Sequence, residues 1–179
     1  GRRPGDFFIM SFHNSKLVAA LVGLSSIALV RADVKVGDAF PALESAGLSP
    51  LSEVRAPAFS GQITLVDFWA SWCAPCKASF PAMAKLHADY GSRGFAIVAV
   101  SIDEKPESAA AFWKKMAVPF AGVHDRTQKL VKQVVVPTMP TSYLLDRNGK
   151  VRFVHEGFHG DASARELRRQ IELLLAEKS

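Results

Sequence analysis

From position 62 onward the chain alternates between short unbroken apolar runs and longer stretches where apolar residues recur every three or four positions. The runs "QITLVDFWA" (62–70) and "FAIVAVSID" (95–103) are β-branched and aromatic, and read as strands buried on both faces. "FAGVHD" (120–125) reads as a shorter strand. "PCKASFPAMAKLHADYG" (75–91) reads as a helix that ends at Gly91, with Pro75 at its first position and Pro81 inside it. "PESAAAFWKKMA" (106–117) carries Ala109, Phe112, Trp113 and Met116 at helical spacing. "TQKLVKQVVV" (127–136) begins as a helix and turns β-branched before Pro137. "TSYLLDRNGKVRFVHEGF" (141–158) reads as two strands joined at Asn148-Gly149, a dipeptide suited to a tight turn with positive φ at both positions. Gly157 is expected to permit close backbone packing. "DASARELRRQIELLLAEKS" (161–179) is amphipathic, with Leu167, Ile171 and Leu174 as its stripe and Ser163 with Glu166 as a capping box. Strands alternating with helices predict an α/β fold. The final hairpin adds antiparallel strands, so the central sheet is mixed and flanked by helices.

The pattern before position 62 is different. Residues 34–61 are rich in Pro, Gly and Ala, weakly periodic, and read as an extended leader with short strands. "LVAALVGLSSIALV" (17–30) is an uncharged apolar run of 14 residues that follows the polar "MSFHNSK". A spanning helix needs about 20 residues, so the run suits a signal peptide. "VRA" (30–32) predicts cleavage between Ala32 and Asp33, and an uncleaved anchor is the alternative. Either version exports the domain. Residues 1–9 precede the first methionine, Met10, and read as an upstream extension. The chain thus divides into 1–32, upstream residues plus a signal peptide or anchor, and 33–179, a single domain.

Composition adds little to this picture except by exclusion. The 179 residues are 49% hydrophobic and 22% charged, as in a globular protein. The net charge is +5, but without residues 1–32 it is about +2. No basic stripe remains for nucleic acid.

The candidate chemistry lies in "FWASWCAPCKASFP" (68–81), which holds the only two cysteines, Cys73 and Cys76. A bridge across so short a loop removes little unfolded-state entropy and is a poor structural staple. Tetrahedral zinc needs four ligands. Of His87, His124, His155 and His159, only the last two are close in sequence. A copper-delivery module would use the two thiols and one histidine, but such proteins usually carry one more residue between their cysteines. A redox pair fits better. Cys73 would sit at a helix N-terminus, where unpaired N–H groups and the helix dipole favour a thiolate. Cys76, one turn in, would be more buried and would resolve a mixed disulfide formed at Cys73. Asp67 is an acid among apolar neighbours. Burial would raise its pKa and suit it to proton transfer with Cys76. A peroxidase of the peroxiredoxin type needs Thr-x-x-Cys, and no threonine stands at that spacing.

"LVDFWASWCAPCK" (65–77), Pro81, "MPT" (139–141), and the later "NGK" and "EGF" resemble the corresponding stretches of thioredoxins. Cys73 and Pro140 lie 67 positions apart, longer than a thioredoxin needs. The extra helix and strand, and the leader "VGDAFPALE", resemble the exported bacterial TlpA-like members of the thioredoxin superfamily, over essentially all of 34–179. The resemblance implies a thioredoxin-like fold with a helix–strand insertion and an N-terminal extension. It implies Cys73 as nucleophile, Cys76 as resolving thiol, Asp67 as the buried acid, and Pro140 as the cis-proline beside Met139. Met139 would present its backbone to substrate. Trp72, Trp69 and Pro75 would line the site. The redox-active Cys73–Cys76 disulfide would serve in place of any bound cofactor or metal. The implied enzyme is a periplasmic thiol–disulfide oxidoreductase, a monomer that reduces disulfide-containing client proteins and receives electrons from a membrane thiol carrier. A disulfide-forming oxidase is the alternative direction. Cytochrome c maturation members usually carry a glutamate three positions after the second cysteine. Here that position is Ser79, which argues against a dedicated haem-pathway role.

Overall fold

The computed structural model describes Gly1 and residues 34–134 and 136–177. The expected signal run and the Ala32–Asp33 cleavage point lie outside the described residues. Among the described residues no helix is long and apolar enough to cross a membrane.

Among the described residues six strands form one mixed sheet. In chain order they are β1 (Ser49–Pro50), β2 (Ile63–Trp69), β3 (Phe95–Ser101), β4 (Ala121–His124), β5 (Thr141–Leu145) and β6 (Val151–Glu156). Their spatial order is β1-β4-β3-β2-β5-β6. β2, β3 and β4 are parallel to one another, while β5, β6 and β1 pair antiparallel to their neighbours. The helices are α1 (Ala74–Tyr90), α2 (Pro106–Met116), α3 (Lys129–Val134) and α4 (Asp161–Ala176). This is the thioredoxin-like α/β fold the sequence predicts. The extra α2 and β4 lie between β3 and α3.

Every residue of β2 is buried, as expected of a central strand covered on both faces. Its alternate side chains enter two cores. Ile63, Leu65 and Trp69 join Phe80, Met83 and Leu86 of α1, Phe112 and Trp113 of α2, and Leu167, Ile171 and Leu174 of α4. Val66 and Phe68 join Val98, Val100, Leu130, Val134, Tyr143 and the leader residues Phe40 and Leu43. The leader therefore covers part of one sheet face. Backbone bonds stitch it to the far hairpin, with Phe40 N donating to Gly149 O and Val151 N donating to Asp38 O, both at 2.9 Å.

Four local readings are revised. The leader contains a 3-10 turn at Leu43–Ala46 as well as its short strand, β1. Helix α1 begins at Ala74, so Pro75 takes its second position rather than its first. At the β5–β6 hairpin only Gly149 has positive φ (74°), not Asn148. Gly149 N donates to Asp146 O at 3.0 Å and Asp146 N to Lys150 O at 2.9 Å, so Arg147 and Asn148 are the turn's central pair. The Asp146 carboxylate accepts from Asn148 N and Lys150 N, holding a longer turn than the two-residue one expected. Finally, α4 is preceded by Gly160 rather than Ser163, and the capping box does not form. Ser163 Oγ instead accepts from His159 N at 2.9 Å, while Glu166 pairs with Arg169 and Gln170.

Candidate active site

Cys73 is the N-cap of α1, in extended conformation. Its Sγ accepts a hydrogen bond from Cys76 N at 3.1 Å. A helix N-terminus with an amide aimed at sulfur stabilises negative charge there. The two cysteines form a disulfide, with Cα atoms 5.3 Å apart. Cys73 retains 5% exposure and Cys76 none, so of the two only Cys73 keeps any surface open to solvent. Trp72, immediately before, is 69% exposed, and Pro75 is exposed beside it. Trp69 is fully buried, stacked at 4.7 Å on Phe112 and edge-on to Phe80, in the same core cluster as both cysteines.

The turn that delivers Cys73 is held by groups that periodicity does not single out. Asp103, buried just past β3, accepts from Ser71 N at 3.0 Å, from Ser71 Oγ at 2.6 Å and from Ser101 Oγ at 2.8 Å. His124, also buried, hydrogen-bonds the carbonyl of Asp103 at 2.7 Å. An acid after a strand's carboxyl end was the available signal in "VSID". What it binds depends on the neighbouring β2–α1 turn.

Asp67 lies in the middle of β2, on the face covered by α1 and α4. Strand register places Ala99 beside it on β3 and Gly122 beyond on β4; on the other side come Ser142 on β5 and His155 on β6. A lane of small and polar residues thus crosses the sheet. Ser142 Oγ donates to Asp67 Oδ1 at 2.5 Å, and Oδ2 has no hydrogen-bond partner in the protein. Burial raises the Asp67 pKa from 3.8 to about 7, against the opposing pull of the Ser142 bond.

The Met139–Pro140 peptide is cis. Pro140 is buried, and Met139 packs against the core cluster that contains both cysteines. Gly157, at φ 79°, donates its N–H to Pro140 O at 2.7 Å. A narrow pocket beneath α1 brings together Asp67, Ser79, Pro140, Ser142 and His155. Ser79 is buried and donates to Cys76 O at 2.8 Å. Ser142 went unnoticed in the sequence, because a serine one place after "MPT" carries no periodic or motif signal. His155 Nε2 bonds Gln170 Oε1 at 2.7 Å, while His159 is exposed. Among the described residues no three His, Cys, Asp or Glu side chains are grouped to hold a metal ion.

A dithiol pair opening a helix at the carboxyl end of a central parallel strand, with a cis-proline loop and a buried acid, defines the thioredoxin-like thiol–disulfide oxidoreductases. The Redoxin family profile matches residues 35–170, and the chain belongs to that family, within the TlpA-like part of the thioredoxin superfamily. It is 33% identical over 147 residues to the thiol-disulfide oxidoreductase ResA of Oceanobacillus iheyensis, covering 79% of this chain and 76% of that protein. It is 31% identical to ResA of Geobacillus thermodenitrificans, over 59% of this chain and 60% of that one. Among solved structures, a protein assigned as the thiol:disulfide interchange protein DsbE of Chlorobium tepidum superposes with a TM-score of 0.70. It is 35% identical and covers 80% of this chain and 99% of its own. StoA of Bacillus subtilis shares the fold, with a TM-score of 0.57, 24% identity, and coverage of 77% of this chain and 98% of its own. The chain is a thiol–disulfide oxidoreductase.

Proposed function

We propose that this enzyme works outside the cytoplasm as a reductase of protein disulfides. The observation that carries the reading is the asymmetry of the pair. Cys73 caps a helix and keeps 5% exposure beside exposed Trp72, while Cys76 is wholly enclosed. The Cys73 thiolate attacks one sulfur of a client disulfide. A mixed disulfide forms and one client thiolate departs with the electron pair of the broken bond. Cys76 then loses its proton to Asp67, and its thiolate attacks Cys73 Sγ. The Cys73–Cys76 bond forms, the mixed disulfide breaks, and the second client thiolate leaves. Two electrons have passed from enzyme to client.

An acid whose pKa is near 7 exchanges protons readily at neutral pH, which supports Asp67 in this role. Trp72, Pro75, Met139 and Pro140 offer the client an apolar rim and an extended backbone. No bound cofactor is required beyond the disulfide itself. Re-reduction requires a thiol donor, and for an enzyme exported by the 17–30 run that donor is a membrane thiol carrier. Ser79 stands where cytochrome c maturation members usually carry a glutamate, so the reading favours a broader client range.

The test is the Cys73/Cys76 reduction potential, by equilibration with dithiothreitol or glutathione, alongside exchange assays of Cys73→Ser. A potential near roughly −250 mV and loss of exchange in the variant are expected. A potential near roughly −120 mV would reverse the direction to disulfide donation. An active Cys73→Ser variant would remove the mechanism.

A further inference from the structure

Oxidation of the dithiol leaves a proton on Asp67, which is sealed under α1 and can hold it until Cys76 is reduced again or exchange it with solvent. We propose that His155 is the positioning residue through which Asp67 exchanges its proton with solvent, across the pocket shared by β2, β5, β6 and α4. This rests on Asp67 serving Cys76.

Three observations carry the inference. Asp67, Ser142 and His155 are consecutive cross-strand neighbours on one sheet face, and all three line the pocket. Asp67 is fully enclosed, whereas His155 is half-buried at the pocket's outer side. The remaining wall comes from α1, from α4 and from Pro140, Gly157 and Phe158, none of it ionisable, so among the described residues Asp67 and His155 are its only titratable groups. Glu166 of α4 stands behind, one hydrogen bond beyond Gln170, and Cys76 lies above on α1.

The hydrogen bonds also fix the tautomer. Gln170 Nε2 donates to the Glu166 carboxylate at 2.6 Å, which orients the amide. Gln170 Oε1 therefore faces His155 Nε2 at 2.7 Å as an acceptor, and Nε2 must carry the hydrogen. Neutral His155 is thereby left with Nδ1 as its basic nitrogen. Asp67 Oδ2, which has no protein partner, is the matching group at the inner end. The pocket that both line has room for at most one water, the bridge this proposal requires.

The step involves protons alone. Cys76 gives its proton to Asp67 as its sulfur closes on Cys73. Protonated Asp67 passes that proton to the bridging water, which gives one to His155 Nδ1. The imidazolium releases a proton to bulk water and Asp67 returns to carboxylate. The relay alters rates and leaves the dithiol–disulfide equilibrium where it was.

The experiment uses the reduced full-length chain, mixed with insulin as disulfide substrate in dilute buffer. Insulin reduction over many turnovers, sustained by excess dithiothreitol, is followed from pH 5.5 to 9 for wild type, His155→Gln, His155→Ala and Asp67→Asn. Expected are a slowing of about tenfold in both His155 variants, a recovery that grows with added imidazole, and an unchanged reduction potential. In wild type, the His155 ring resonance should show a second inflection that Asp67→Asn removes, a readout independent of any fold defect at position 155. His155 variants that match wild type at every pH, or that slow without imidazole recovery, would overturn the relay while a slow Asp67→Asn keeps the Asp67 reading. An Asp67→Asn protein with wild-type rate and pH profile would overturn both.

Discussion

Asp67 sits in the middle of a strand with its side chain wholly enclosed, bonded at one oxygen by Ser142 and unpartnered at the other. Its pKa of about 7 in the fold lies above the ordinary 3.8, so folding favours the protonated form. Between these values the native state holds a proton that the unfolded chain has released, and stability falls as pH rises. The gap corresponds to about 4 kcal/mol, fully felt above pH 7 and absent below pH 3.8. Asp67→Asn keeps a polar partner for Ser142 without the charge. It should therefore be more stable than wild type at pH 8 by up to about 4 kcal/mol, with the advantage vanishing near pH 4. Urea unfolding midpoints at pH 4, 6 and 8 measure this, and equal midpoints at pH 8 would show that the carboxylate is not destabilised. The same group thus weakens the fold and supplies a proton acceptor suited to neutral pH. At this scale the sequence was informative: an acid inside "TLVDFWA" has apolar neighbours on both sides, which favours burial over an exposed strand end. Its partners were not legible. Ser142 and His155 lie 75 and 88 positions away, and only strand register aligns them.

Helix α2 and strand β4 show how an element is fastened to the sheet. Their contact is made by Trp113 lying directly over Gly122, where an added Cβ would fall 2.4 Å from the indole ring. The indole has little room to retreat. Trp69, Phe80 and Phe120 have ring centroids within about 6 Å of it. Gly122→Ala should cost about 1–3 kcal/mol through overpacking, read as a lower urea midpoint with an unchanged m-value. Combining it with Trp113→Phe should cost less than the two single losses together, since the smaller ring frees the space. Additive losses would place the strain elsewhere. The helical spacing of Phe112 and Trp113 announced a buried face, but nothing in "FAGVHD" showed that its glycine was needed by that face. Local turn chemistry was the least legible part. Asn148-Gly149 suggested a two-residue turn, yet the Asp146 carboxylate draws two backbone amides and moves the positive φ to Gly149 alone. Likewise Ser163 and Glu166 had the spacing of a capping box, but the helix begins earlier and each side chain finds another partner.

At the scale of the whole molecule, the redox state and the folding equilibrium are linked. A dithiol that is a stronger reductant in the fold than in the unfolded chain must belong to a protein whose disulfide form is the more stable to unfolding. The proposed reductase should therefore unfold at higher guanidinium concentration when oxidised than when reduced. The free-energy difference should be about 1.4 kcal/mol for every 30 mV separating native and unfolded potentials. A reduced form that outlasts the oxidised one would instead mark a disulfide donor. This comparison needs only the two redox states of one protein, and it checks the direction of electron flow independently of any client.

The sequence by itself determined the alternation of buried strands and amphipathic helices, the extra helix and strand before the proline loop, and the placing of two cysteines at a helix start. These are legible because strand and helix periods, proline and helix termini act over a few neighbouring residues. Tertiary structure alone decided which side chains meet. It sent Trp69 into the core and left Trp72 at the surface, tied Ser71 to Asp103, and aligned Asp67, Ser142 and His155 across three strands. Such contacts depend on register and on the packing of elements far apart in the chain, where local sequence preference exerts no force.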